Sequence, residues 1–578
     1  MHTFRVWAPS PKTVTLQLGA HPIAMVPGAG GWWTVEAASA KPGDEYGFLV
    51  DGSGPFPDPR SPAQPNGVHG FSRLVDQGDF RWTDSGWQPP PLSAAVVYEL
   101  HIGTFTPEGT FASAIEKLDH LATLGVTHVE LMPVNEFSGQ HGWGYDGVDL
   151  FAPHHAYGTP AELKKLVNAC HTRRLAVILD VVYNHLGPSG NYLAKFAPYF
   201  SQKFHTFWGD GINFDGPESD EVRRFFCDNA LMWLRDYHFD GLRLDAVHGI
   251  LDTSATHFLE QLKIEVEMLS SQLGRRLVLI PESDLNDPRL LWPRERGGYQ
   301  LDAQWSDDFH HALHAILTGE KNGYYEDFGA LADLAKALAN VFVYDGNFSK
   351  HRRRRHGRSP AGLAGHHFLA YLQNHDQVGN RAQGERSSAL MSVGKLKIGA
   401  ALVFTSPFVP LLFQGEEWGA SAPFLFFTDH QEPALAQAVR AGRCQEFMAF
   451  GWKPEEVPDP QARETFEQSK LNWNELTVPP HTDLLDWHKK LIQLRRHEIS
   501  LADGRIDRVC ARLDEAEGWL VVKRGALTVA CNFTTRPQAI PIGPRSERIM
   551  LASDAGVKLA DGNLQMPPDA AAILKWAE

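Results

Sequence analysis

Three apolar runs in this chain end in a carboxylate. In the first, Leu242 and Leu244 alternate with Gly241, Arg243 and Asp245, the pattern of a short buried strand with a charged end. The second, 278–281, ends at Glu282, and the third, 368–372, runs on through Asn374 and His375 to Asp376. A carboxylate at the end of an apolar strand is costly to desolvate unless it has a partner or a task. For Asp245 alone, a buried ion pair with Arg243 is a sufficient account. Three strands ending in three carboxylates point instead to one shared site. Two carboxylates flanking a bond can hydrolyse a glycoside: one attacks or activates water, and the other protonates the leaving oxygen. Arg243 favours an ionised, attacking Asp245. The apolar run before Glu282 favours the protonated form that an acid needs.

The elements that must position these groups follow from the rhythm of the chain. From about residue 94, strand patterns alternate with helical ones. The strands are expected at 96–100, 126–132, 175–182, 240–245, 277–282, 301–305, 368–376 and 410–414. Eight strands with helices between them are most economically closed as an α/β fold of (β/α)8 barrel type. Active-site groups of such a barrel lie at the carboxyl ends of its strands. That face would display Asp180, Asn184 and His185 after strand three, and Arg243, Asp245 and His248 after strand four. Glu282 would follow strand five, and His375 and Asp376 strand seven. Phe111, Ile115, Leu118, Leu121 and Ala122 have the spacing of one helix. Another should start at Thr159, which can cap it, with Pro160 in the first position and Glu162 completing a capping box. Residues 183–215 read as a small insertion after strand three.

At 578 residues the chain is too long for one core. Residues 1–90 read as an amino-terminal β-sandwich, with period-two strands and Pro/Gly turns. The stiff Pro89-Pro90-Pro91 joint leads to the barrel at 91–483. A last amphipathic helix at 484–497, with Leu485, His488, Leu491, Ile492 and Leu494 inward, opens a carboxyl-terminal β-sandwich that ends at 578. A net charge of −15 argues against a nucleic-acid or anionic-membrane partner. The run of arginines at 351–358 reads as an exposed basic loop. Five scattered cysteines fit a reducing compartment and neither a disulfide framework nor a zinc site. With no signal-peptide pattern and no run of membrane-spanning length, a cytoplasmic location is expected. No obligate protein partner is evident.

Taken together, Asp180-Val-Val-Tyr-Asn184-His185, Gly241-Leu-Arg243-Leu-Asp245, Glu282 and Asn374-His375-Asp376 resemble, in order, the four signature regions of the α-amylase superfamily. The resemblance implies Asp245 as nucleophile, Glu282 as general acid/base and Asp376 as the carboxylate that stabilises the distorted sugar. It also implies that Tyr145, in Gly142-Trp-Gly-Tyr-Asp146, stacks under that sugar. His185, Arg243 and His375 would bind its hydroxyls and the nucleophile.

Finer motifs are similar to the branch of the superfamily that acts on maltooligosaccharides ending in trehalose. They are Asp245-Ala-Val-His248, Trp305-Ser-Asp307-Asp308-Phe-His310-His311, the 317–325 stretch, and Gln373-Asn-His-Asp-Gln377-Val-Gly-Asn380-Arg381. His248 is a further candidate for substrate contact, as are Asp307, Asp308, His310 and His311 just after strand six, best placed for the leaving side, and Gln377 and Asn380 just after Asp376; alternatively the acidic and histidine pairs only brace the loops against each other. At Gly442-Arg443-Cys444-Gln445-Glu446-Phe447 the resemblance would lead one to expect a more basic run. The alternatives are a 1,4-α-glucan branching enzyme or another α-amylase-type glucan hydrolase and, in another class, an inactive glucan-binding member. Asn184 resembles a calcium-contacting position in some amylases, but no second cluster of oxygen ligands accompanies it. No cofactor and no essential metal are expected.

Overall fold

The computed structural model describes residues 2–448, 452–543 and 547–576. Its centre is an eight-stranded, all-parallel sheet curled into a nearly closed barrel. In chain order the strands are β1 (Val97–Leu100), β2 (His128–Leu131), β3 (Ala176–Val181), β4 (Gly241–Leu244), β5 (Val278–Pro281), β6 (Gln304–Trp305), β7 (Phe368–Ala370) and β8 (Val409–Phe413). The hydrogen-bonded order is 5-4-3-2-1-8-7-6. Between β5 and β6 the seam is closed by Asp302, whose N–H donates to the Leu279 carbonyl (3.0 Å) and whose carboxylate accepts from the Leu279 N–H (2.7 Å). Val97, Ile178, Ile280, Leu369 and Leu411 fill the interior, all fully buried. Side chains of a small barrel pack it solid, so the only opening is at the ends.

β6 and β7 are shorter than the apolar runs that predict them. Ser306 still donates its N–H to the Leu369 carbonyl (3.0 Å) before the chain enters the helix Asp307–Thr318, and beyond Ala370 the Gln373 and Asn374 side chains accept from the N–H groups of Ser387 (2.9 Å) and Gln377 (2.8 Å). The helix expected from Phe111 onward is two, Phe111–Ile115 and Leu118–Leu124. Glu116 and Lys117 bond three residues back instead of four, and that tighter turn breaks the axis. The helix capped by Thr159 runs from Pro160 to Thr172 with the reciprocal Thr159–Glu162 capping box in place. The last long helix begins earlier than its pattern suggests, at His481, and ends at His497. Leu484, Trp487, Leu491 and Ile492 form its buried face, while Leu485 and Leu494, expected inward, are half-buried.

Strand-rich regions flank the barrel. At the amino end the sheet of His2–Trp7, Trp32–Ala37 and Val26–Pro27 faces a second sheet built on Val14–Leu18 and Glu45–Val50. Phe4 meets Tyr46 edge-on across them at 4.9 Å. At the carboxyl end a five-stranded sheet and a three-stranded one enclose Val521, Ala530, Ile540, Leu564 and Ala572. After β3 the chain makes an excursion, a short helix and an antiparallel hairpin, Phe200–Thr206 with Gly209–Ile212. Among the described residues no helix is long and apolar enough to cross a membrane.

Candidate active site

The site is assembled around Arg243. In the parallel register of β3, β4 and β5, Arg243 lies beside Asp180 and Ile280. Gly241 lets β4 and β5 approach, since a Cβ there would stand 2.7 Å from the Val278 carbonyl oxygen. The Arg243 side chain has no solvent exposure. Its Nη1 donates to Asp180 Oδ2 (2.7 Å) and to Asp245 Oδ1 (2.8 Å), and its Nη2 lies 3.6 Å from Glu282 Oε2. The guanidinium rests 4.3 Å from the centroid of the Trp305 ring. One buried cation therefore gathers carboxylates from three strand ends, and it compensates charges that alone would not stay buried.

The two carboxyls expected to share the chemistry have different surroundings. Asp245 accepts a direct hydrogen bond from Arg243. Glu282 accepts instead from the N–H of Ala246 (2.7 Å). Burial pushes the Glu282 carboxyl well above the usual range; Asp245, Asp307 and Asp376 add to this, while Arg243 opposes it. Ala246 adopts φ 39° and ψ 51°, the left-handed region, which costs an alanine about 1–2 kcal/mol. That turn aims its N–H at Glu282, a contact for which the sequence carries no signal.

Tyr145 is held from two sides. Its hydroxyl donates to Asp180 Oδ2 (2.6 Å), and its ring stacks on His375 with centroids 5.0 Å apart. His375 is tied by its main-chain N–H (3.0 Å) and by Nδ1 to Glu99 in the barrel interior. Burial disfavours the charged ring, yet Asp376 and Glu99 outweigh it and push the His375 pKa up to about 9. Asp376 itself is the most open of the acids, its side chain 38% exposed at the lip of the cleft.

Above these groups lies a cavity of about 1100 Å³. Tyr145, His185, Asp245, Glu282, His375 and Asp376 line it. His248, Asp307, His311, Gln377 and Asn380 also face it, and Arg243 sits beneath. Asp308 and His310, expected to contact substrate, are not among the residues that line the cavity. Both lie on the helix Asp307–Thr318, where Asp307 and His311, four apart, point in nearly one direction and Asp308 and His310 lie well to either side of it. Asp307 and His311 take the face toward the cleft. Asp308 is buried and accepts from Asn286 Nδ2 (2.9 Å) and from the N–H groups of Val343 (2.7 Å) and Tyr344 (2.8 Å). His310 packs between the rings of His314 and Tyr371, 5.3 and 5.7 Å away. Replacing Asp308 by Ala would strand three buried donors, for an expected loss of about 3 kcal/mol in denaturant unfolding. No selective change between substrates should accompany it.

Several groups at the cleft escaped the sequence reading. Phe207 and Trp208 form the tip of the inserted hairpin, and Trp208 stacks on His185 with centroids 5.6 Å apart. Exposed aromatics at a hairpin turn were the available signal. Arg352, assigned to a merely exposed loop, reaches back to Asp284 (2.8 Å) and lines the cavity, while Arg353, Arg354 and Arg355 are exposed as expected. Glu320 binds Arg381 in a two-pronged pair (2.9 and 2.9 Å), which ties the 317–325 stretch to the Asp376 segment. At the departure around Gly442, the single Arg443 donates to the Gly379 carbonyl (2.7 Å) and faces the Phe447 ring. One arginine, not a basic run, joins the helix Pro433–Met448 to the site.

Among the described residues Glu136, His154 and His155 have the composition of a metal site. The Glu136 carboxylate, however, accepts from the His155 ring (2.7 Å) and main chain (2.8 Å). These bonds already engage both oxygens, and they brace the segment that leads to Tyr145.

Comparison with known proteins agrees with this architecture. The family description "Alpha amylase, catalytic domain" matches residues 76–211, and "Domain of unknown function (DUF3459)" matches 506–573. The chain is 49% identical to a malto-oligosyltrehalose trehalohydrolase of Rhizobium sp. (strain M-11), over 99% of this chain and 97% of that protein. It is 48% identical to one of Mycobacterium tuberculosis over the full length of both. A solved structure of an alpha-amylase-like protein from Salmonella typhimurium superposes with a TM-score of 0.91 at 40% identity, covering 99% and 97% of the two chains.

Proposed function

Because the chain belongs to the malto-oligosyltrehalose trehalohydrolase family within the α-amylase-type glycoside hydrolases, we infer that it cleaves the α-1,4 bond next to a terminal trehalose and releases that disaccharide. The observation that carries the chemistry is the asymmetric grip of Arg243: hydrogen-bonded to Asp245, 3.6 Å from Glu282. An ionised nucleophile and a protonated acid can thus coexist in one site.

In the first step an Asp245 oxygen attacks the anomeric carbon of the sugar over Tyr145. The bond from that carbon to the bridging oxygen breaks, and Glu282 gives that oxygen its proton. Trehalose leaves with its 4-hydroxyl restored. In the second step Glu282, now a base, takes a proton from water. The water oxygen attacks the same carbon, and the ester to Asp245 breaks. The maltooligosaccharide is released with its anomeric configuration retained. Asp376 and His375 flank the reacting ring, where they can bind its hydroxyls most tightly in the distorted geometry. Imidazolium His375 donates and carboxylate Asp376 accepts. The substrate is an oligosaccharide, and the reading needs no nucleic acid, membrane or protein partner.

Selectivity lies on the leaving side, where Asp307, His311 and Gln377 face the cleft. Trehalose is bent and has no reducing end, so a rim that hydrogen-bonds it leaves polar groups unpaired with any other ligand. Plain maltooligosaccharides of equal length should therefore show kcat/KM about 100-fold lower or worse. Chromatography of the products should yield free trehalose. Equal rates on both substrates would leave a general amylase, and new α-1,6 branches in amylose would leave a branching enzyme.

A further inference from the structure

The barrel interior under the cleft holds a carboxyl that none of these steps uses. Glu130 on β2 is the register partner of Glu99 on β1, so in a parallel pair both side chains project to the same side of the sheet. Each is 1% exposed. Glu99 is engaged with the ring and main chain of His375. Neither oxygen of Glu130 has a hydrogen-bond donor within reach. The charged groups that face it are Glu99, Arg243, Asp180 and His375; Arg243 gives its Nη1 to Asp180 and Asp245, and neither its Nε nor its Nη2 bonds a Glu130 oxygen. An ionised carboxylate with no donors, buried beside a second carboxylate, costs several kcal/mol. A neutral carboxyl brings its own O–H, and Glu99 is the acceptor beside it.

We propose that Glu130 is a proton-holding positioning residue: its neutral carboxyl donates to Glu99, and the pair presents a single negative charge to His375. It touches no substrate. Burial pushes Glu130 well above the usual carboxyl range; Glu99 and Asp180 add to this, while Arg243 and His375 oppose it. The Glu130 O–H thereby shares the Glu99 carboxylate with the His375 ring. His375 stays an imidazolium whose Nε2, 3.5 Å from Asp376 Oδ1, is directed to the sugar side.

Two readouts on the full chain test this. In infrared difference spectra at neutral pH, Glu130→Gln should remove a protonated-carboxyl C=O band; loss of carboxylate bands instead would overturn the proposal. The second readout is maltooligosyltrehalose binding against pH in a Glu282→Gln background, where the acid no longer titrates. Binding should weaken as pH rises through the His375 pKa. Glu130→Leu, which offers no donor, should move that midpoint upward by about half a pH unit, and Glu130→Gln should restore it. A midpoint that falls in both variants would mean that Glu130 carries charge, and the proposal would fail. The binding readout rests on His375 serving the sugar site; the infrared readout does not, so the two can fail separately.

Discussion

Asp245→Asn should lower kcat by about 10⁴-fold or more, roughly 5–6 kcal/mol of barrier, while maltooligosyltrehalose still binds. The amide is isosteric but has no lone pair basic enough to attack carbon. Arg243 keeps Asp180 as an acceptor, so the buried cation is not left without a partner. Calorimetry should therefore show near-normal affinity together with absent turnover. In the unaltered enzyme, nuclear magnetic resonance at early times should show the α-anomer of the released maltooligosaccharide. A carboxyl separation of about 5–5.5 Å between Asp245 and Glu282 belongs to that retaining outcome. Product of inverted configuration, or a variant within tenfold of normal activity, would remove Asp245 from the nucleophile's role.

Glu282→Gln should reduce kcat by about 10²–10⁴-fold and change the shape of the pH profile. The sign follows from the direction of its shift. Glu282 must carry a proton to serve as acid, and burial raises its pKa. Activity is thus present below that pKa and is lost as pH rises through it, giving kcat/KM its alkaline limb. The glutamine variant has no proton to lose there, so that limb should vanish. A substrate with an aryl leaving group needs little protonation and should recover much of the first step, whereas natural substrate should not. If the variant keeps both limbs and most of its rate, Glu282 is a structural carboxyl and another group is the acid.

Much of the fold was legible in the chain because its signals are local. An apolar run of four to six residues followed by a helical period marks a β/α unit whatever surrounds it, and the Thr159–Pro160–Glu162 start was readable from three residue types alone. Element lengths were read less well. β6 and β7 are shorter than their apolar runs, and no local pattern announces their bounds. The carboxylates were legible for a related reason. A charged residue at the end of an apolar strand is an energetic anomaly: Asp245 and Glu282 directly follow one, and Asp376 lies in the turn of helix His375–Gly379 beyond a third.

What the sequence by itself determined is the barrel, its flanking strand-rich regions and the residues at its strand ends, because each follows from period, polarity and order along the chain. The tertiary structure alone decided which of those residues meet. It put Asp307 and His311 in the cleft and turned Asp308 and His310 away, since one helix face can point to only one place. It brought Trp208 from the insertion and Arg352 from a distant loop to the same cavity. It set Glu99 under His375 and Glu130 beside Glu99, across 276 and 31 positions of chain. Charge and burial at a site depend on distances through space, and contacts made across the fold leave no local trace in the order of residues.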